Sequence, residues 1–175
     1  CLFAVRPDRS AVVLDDSGEG FSVIGADARR VAWVRQTRGA RSVMLSGTAD
    51  GVARPLVTSL PSSAFVTFDG EDVLLVETIA GGDRGATRIT RYPAGQPESM
   101  RRVVLELTGQ VRDEGRVAVD TDGRVWAVTG DGLWRSLPRD VVGAGAQVPL
   151  VNGPNGGRVN AFALLPSGLA LVAIE

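Results

Sequence analysis

The feature that most constrains this chain is the stretch Gly115–Ser136, GRVAVDTDGRVWAVTGDGLWRS, in which two Asp-Gly pairs separate three short apolar runs. The runs are Val117–Val119, Val125–Val128 and Leu133–Trp134, and the pairs are Asp122-Gly123 and Asp131-Gly132. Glycine has no Cβ and aspartate tolerates the left-handed region, so Asp-Gly suits a tight hairpin turn between strand-forming runs. Two such turns in succession predict a three-stranded antiparallel meander.

The rest of the chain repeats this unit in degraded form. Leu2–Val5 and Ala11–Leu14 are joined across Pro7-Asp8-Arg9-Ser10, and Phe21–Ile24, Val31–Val34, Ser42–Leu45 and Leu56–Leu60 follow. Next come Ala64–Phe68, Val73–Thr78, Thr87–Tyr92 and Arg102–Leu107, and after the central stretch Val148–Val151, Val159–Leu165 and Leu169–Ile174. These runs carry the β-branched and aromatic residues of strands. No segment of helical period has useful length or caps. The 22 Gly and 9 Pro lie between the runs rather than in one linker, which is the distribution of an all-β chain with many turns. Runs such as Val73-Leu74-Leu75-Val76 do not alternate with polar residues, so those strands are expected to be buried on both faces.

The cycles open near Phe21, Ala64, Gly115 and Val159, giving a period of about 40–50 residues with four strands in each. That combination predicts a β-propeller of four-stranded antiparallel blades, each too thin to bury both faces without stacking on its neighbours. An irregular β-sandwich with coincidental spacing is the competing architecture. The expected blades are 21–60, 64–107 and 115–151, with a composite blade formed by 159–175 and 1–15. On this count the chain holds about four blades, at the lower end of the usual range. A part of a larger propeller would read the same way.

Within the central stretch, Val119–Arg135 resembles the blade repeat of two-component-regulator-type β-propellers. Asp120, Gly123, Trp126, Thr129, Gly132-Leu133 and Arg135 match that repeat in order. Phe65–Val76 and Phe162–Val172 keep only its strand–turn–strand part. The chain is also similar, more weakly, to the propeller domains of actinobacterial envelope lipoproteins, through its RRVAWV segment and high arginine content. Such repeats serve blade geometry in proteins of unrelated function, so the resemblance implies a fold and not an activity. The sialidase-type Asp box is not met, because Thr121 stands where its aspartate would be and Val119 where its opening Ser or Thr would be.

Composition narrows the chemistry. There is no His, and all 19 basic residues are Arg. The commonest general base and metal ligand is therefore missing. A net charge of −1 gives no global attraction to nucleic acid. Cys1 is the only thiol, so no intrachain disulfide can form. It reads either as the lipidated first residue of a bacterial lipoprotein, which would place the protein in the cell envelope, or as a boundary without chemical meaning. No apolar run approaches the ~20 residues of a membrane span.

Paired carboxylates are the remaining route to acid–base catalysis, and they occur at Asp15-Asp16, Glu71-Asp72, Asp113-Glu114 and Asp120/Asp122. All fall at expected turns, where Asp and Glu ordinarily cap and solvate. The loop Asn152–Gly157 could offer carbonyl ligands to calcium but has no carboxylate. Gly81–Gly85 lacks the Gly-Lys-Ser/Thr ending of a phosphate loop. No metal or cofactor site is expected.

The arginines suggest a partner instead. Arg38, Arg41, Arg84, Arg112 and Arg158 fall in or beside two classes of loop that would emerge on one propeller face. Their planar, multiply donating heads suit anion and protein-interface recognition. The expectation is a non-enzymatic module that binds a protein or anionic envelope component through that face. The alternative is a fragment of a propeller hydrolase or carbohydrate-active enzyme whose site is completed outside this chain.

Overall fold

The computed structural model describes residues 1–5, 8–17, 19–47, 51–60, 63–79, 85–94, 98–130, 132–141, 143, 145–148, 159–165 and 170–174. Among them regular structure is β throughout, apart from the single 3-10 turns Glu98–Met100 and Glu114–Arg116. No helix among the described residues is long and apolar enough to cross a membrane. The chain divides into two compact units, Cys1–Val66 and Thr67–Glu175.

The first unit opens with a two-stranded antiparallel sheet of β1 (Leu2–Val5) and β2 (Ala11–Asp15). A four-stranded meander follows, made of β3 (Gly20–Ala26), β4 (Arg30–Thr37), β5 (Ala40–Gly47) and β6 (Ala53–Val57) in chain order. Leu14, Trp33 and Met44 form its buried centre, and Leu2, Ala4, Phe21, Val31 and Ala53 pack around them. The hairpin therefore lays one face on the sheet. Its other face exposes Phe3, Val5 and Val13.

β6 starts three residues before the run Leu56–Leu60 that the sequence marks as the strand, and it contains Pro55. Proline has no N–H to donate and reads as a turn residue, yet it is tolerated on an edge strand. β6 is such an edge, with the ladder shifting between Val43 and Met44 where Pro55 pairs.

The second unit carries two further four-stranded meanders. One consists of β7 (Ala64–Asp69, whose first three residues belong to the first unit), β8 (Asp72–Ile79), β9 (Ala86–Tyr92) and β10 (Arg102–Thr108). The other consists of β11 (Val117–Val119), β12 (Val125–Thr129), β13 (Gly132–Arg135) and β14 (Ala146–Gln147). A two-stranded sheet of β15 (Val159–Leu164) and β16 (Ala170–Ile174) ends the unit. The fold is thus all-β with four-stranded antiparallel sheets, and Gly115–Ser136 forms the expected three-stranded meander. Its expected last strand, Val148–Val151, is replaced by β14, after which the Val148 N–H donates to the Leu133 carbonyl at 2.8 Å. Residues 149–151 of that run lie outside the described residues.

Second strands hold the core. Val73, Leu74, Leu75 and Val76 of β8 are all buried, as a strand sandwiched on both faces must be. Every residue of β12 is buried too, and Trp126, Val128 and Leu133 cluster with Val148 and Leu164 packed against them. Trp33, Val76 and Trp126 occupy second strands of successive sheets, as their repeat positions predict.

The turn from first to second strand carries an aspartate in all three meanders: Asp27, Asp69 and Asp120. Asp27 Oδ1 accepts the backbone N–H groups of Arg29 and Arg30, closing its turn. Asp120 Oδ1 does the same for Asp122 and Arg124, and Gly123 at φ 71° completes the reversal. Asp69 is used differently, and that difference creates a charged cluster around the one buried arginine among the described residues of the second unit.

Candidate functional site

The site grows from Arg91, the sixth residue of β9. Its side chain is 2% exposed, and taking a guanidinium out of water costs several kcal/mol unless carboxylates and carbonyls surround it. Here they do. Arg91 Nη1 donates to Asp69 Oδ2 at 2.5 Å and lies 3.3 Å from Asp72 Oδ2, while Nη2 donates to the Gly123 carbonyl at 2.8 Å. The β7–β8 turn supplies both carboxylates because Asp69 ends one strand and Asp72 begins the next. Asp72 Oδ1 also accepts the Ala94 N–H at 3.1 Å.

A second arginine closes the cluster. Arg139 Nη2 donates to Asp69 Oδ2 at 2.7 Å and to the Asp69 carbonyl at 3.2 Å, and it lies 3.3 Å from Asp72 Oδ2. The Arg139 N–H donates to the Asp122 carbonyl, which fixes the segment after β13 on the β11–β12 turn. Gly123 is required at that turn, because a Cβ there would lie 2.8 Å from the Arg139 Cβ. Two cations and two anions are thus interleaved across residues 69, 72, 91 and 139. The arrangement ties two sheets of one unit together, and both arginines line the space beside it.

That space is a cavity of about 60 Å³, lined by Arg91, Arg102, Arg139, Gly123, Ser136 and apolar side chains of β10 and the segment after β13. Ser136 Oγ is already committed, accepting the Val125 N–H and donating to the Leu137 carbonyl.

The arginines singled out from the sequence lie elsewhere. Arg38 sits in the β4–β5 turn with its side chain 96% exposed, and its Nε is 3.4 Å from Glu19 Oε1. Arg41 lies on the same hairpin and is exposed, while Arg112 is exposed in the connection after β10. Arg112 makes no ion pair with any described residue. Arg84, Arg158 and the loops Gly81–Gly85 and Asn152–Gly157 lie outside the described residues, apart from Gly85. Two neighbours of these arginines serve structure: Arg88 Nε donates to Glu106 at 2.7 Å across β9 and β10, and Arg35 Nη1 donates to Ser17 Oγ at 2.9 Å.

Members of the carboxylate pairs are likewise engaged. Asp15 accepts the Trp33 indole N–H at 3.1 Å and both the N–H and O–H of Ser17. Burial pushes the Asp15 pKa up, but the Ser17 and Trp33 hydrogen bonds and the nearby Arg35 outweigh it and hold the carboxyl below its ordinary value. Asp120 accepts the Trp126 indole N–H at 2.9 Å, Asp113 pairs with Arg116, and Asp122 pairs with Arg124. Glu77 on β8 shows the opposite shift: burial raises its pKa against the pull of Arg88 and Arg101. Among the described residues no three acidic, His or Cys side chains gather where they could hold a metal ion.

Sequence reasoning missed Arg91 because a strand reading ATRITRY marks its arginines as surface residues. The available signal was Asp69-Gly70-Glu71-Asp72, a turn with more carboxylates than its geometry needs. No family model matches the chain, and no curated protein matches it.

Proposed function

We propose that the chain is a β-propeller module that acts by binding rather than by catalysis, and that it recognises an anionic protein or envelope component through Arg38, Arg41, Arg84, Arg112 and Arg158. The observation that carries this reading is the nearly complete exposure of Arg38, whose ion pair to Glu19 is long at 3.4 Å. Arg112 adds an exposed cation without an ion pair among the described residues. The propeller part is supported by three successive four-stranded meanders in chain order, with a two-stranded hairpin, β1–β2 or β15–β16, at each end of the series. The Asp120–Arg135 match to the two-component-regulator-type repeat agrees with the same architecture.

Exposed ion pairs contribute only ~0–1 kcal/mol each, so several loops must act together. The test is sedimentation of the protein with a purified envelope fraction over rising NaCl. Binding should fall steeply as salt shortens the screening length below ~8 Å. Replacing Arg38, Arg84 and Arg112 together by Ser should abolish it with little change in the thermal midpoint. Salt-insensitive binding that survives the triple substitution would reject this face.

A further inference from the structure

We infer that the cavity beside Arg91 is a binding site for the carboxylate of a small organic acid. The site lies wholly in the second unit and is independent of the loop arginines.

The argument starts from the β9–β10 register, which sets Arg102 directly opposite Arg91. Opposite residues in an antiparallel pair project from the same face with Cβ atoms about 5 Å apart, and like charges there are unfavourable. Asp69 and Asp72 neutralise Arg91, but Arg102 makes no ion pair among the described residues. Arg91, Arg102 and Arg139 all line the cavity, and no Asp or Glu among the described residues does. Among the described residues Asp69 and Asp72 are the acids paired with Arg91 and Arg139, so the three cations that line the cavity meet two anions.

Hydrogen bonding points the same way. The Nε atoms of Arg91 and Arg139 are both buried without an acceptor. A buried charged donor left unpaired is costly, and native interiors rarely keep one. An oxyanion in the cavity would supply the missing acceptor and offset the Arg91–Arg102 repulsion at once. The planar guanidinium fork matches a carboxylate geometrically.

Size and lining select the ligand class. A volume of about 60 Å³ is several times what one water needs and far below the ~300 Å³ of pockets for larger ligands. Val103, Val104, Leu137, Pro138 and Val141 supply apolar wall. Such a wall suits the short hydrocarbon stem of an acid better than phosphate, whose oxygens all seek donors. Val103 and Val141 are each about half exposed, which places the mouth of the cavity at solvent.

The experiment is a titration of the full chain with sodium propionate, followed by thermal midpoint and calorimetry, with NaCl and sodium phosphate at matched ionic strength. Propionate should raise the midpoint saturably while NaCl does not, because a ligand that binds only the folded state stabilises it. Arg102→Met, at a partly exposed strand position outside the ion-pair cluster, should weaken propionate at least tenfold while leaving the far-ultraviolet circular dichroism unchanged. A midpoint shift that NaCl reproduces, or affinity unaltered in Arg102→Met, would overturn the site. Tighter binding of phosphate than of propionate would overturn the ligand class.

Discussion

Trp33 in the first unit and Trp126 in the second occupy the same place, the second strand of a four-stranded meander, and each donates its indole N–H to an aspartate Oδ2. The aspartates are held alike. Asp15 Oδ1 accepts the N–H of Ser17, two residues on, and Asp120 Oδ1 accepts that of Asp122, also two residues on. The difference is where the aspartate comes from. Asp120 lies six residues before Trp126, in the turn of the same sheet, whereas Asp15 lies 18 residues before Trp33, at the end of the preceding hairpin. Trp33 consequently joins two sheets and is fully buried, while Trp126 keeps 7% exposure and has the Arg135 guanidinium 5.2 Å from its ring centroid. A buried indole N–H must find an acceptor, and a turn aspartate already immobilised by backbone N–H groups loses little further entropy in accepting it. Whether that aspartate is local or remote decides whether the tryptophan braces one sheet or fastens two.

The largest effect should separate the two indoles themselves. Trp33→Ala should cost about 4–5 kcal/mol, near the top of the range for buried tryptophan, because it empties a closed core between hairpin and sheet. Trp126→Ala should fall nearer 3 kcal/mol, since solvent reaches one edge of that site. Urea unfolding of both variants measures this directly. A greater loss at Trp126 would mean that the local brace, not the fastening between sheets, carries more of the stability.

Removing the acceptors should have a smaller effect of the same order. Asp15→Ala leaves a fully buried indole N–H unpaired and should cost about 2–3 kcal/mol, against about 1–2 kcal/mol for Asp120→Ala, whose turn amides water can reach. Titration sharpens the contrast for Asp15. Its folded-state pKa is lowered, so its charged form contributes stability above the ordinary carboxylate pKa, and that contribution is lost as pH falls through the folded value. The stability gap between the wild type and Asp15→Asn should therefore narrow as pH drops below about 4. A gap that widens in acid would contradict the assignment of Asp15 as a charged acceptor.

The smallest expected effect concerns Arg135. Arg135→Ser should cost about 0.5–1 kcal/mol, the contribution of a cation over a partly exposed ring. It should also alter the fluorescence of Trp126 while leaving that of Trp33 unchanged, which Trp33→Phe and Trp126→Phe backgrounds can separate. No change in either signal would remove the stacking from the list of differences.

Legibility followed the same division between local and remote. The hairpin turns at Asp69-Gly70 and Asp122-Gly123 could be read because a positive φ is a property of one residue; Gly70 and Gly123 sit at φ 57° and 71°. The buried β8 could be read because unbroken apolar runs have one economical environment. Asp120 and Trp126 stood out together because they lie six residues apart, one in the turn and the other on the strand that follows it. β6 was displaced in the reading because Pro55 looks like a turn residue until its strand is known to be an edge.

What the chain determined without help from its tertiary structure was its alphabet of elements: short strands, tight turns, second strands rich in large apolar residues, and a repeated cycle of about four strands. Propensity, glycine geometry and hydrophobic runs act over a few residues, so they are visible in order along the chain. Tertiary structure alone decided the fate of the charges. Arg91 is buried because residues 69, 72 and 123 bring two carboxylates and a carbonyl to it from segments 19 to 32 residues away. Arg102 is set against Arg91 only by the β9–β10 register. The desolvation cost of a guanidinium depends on everything that surrounds it, and no local pattern of residues encodes that environment.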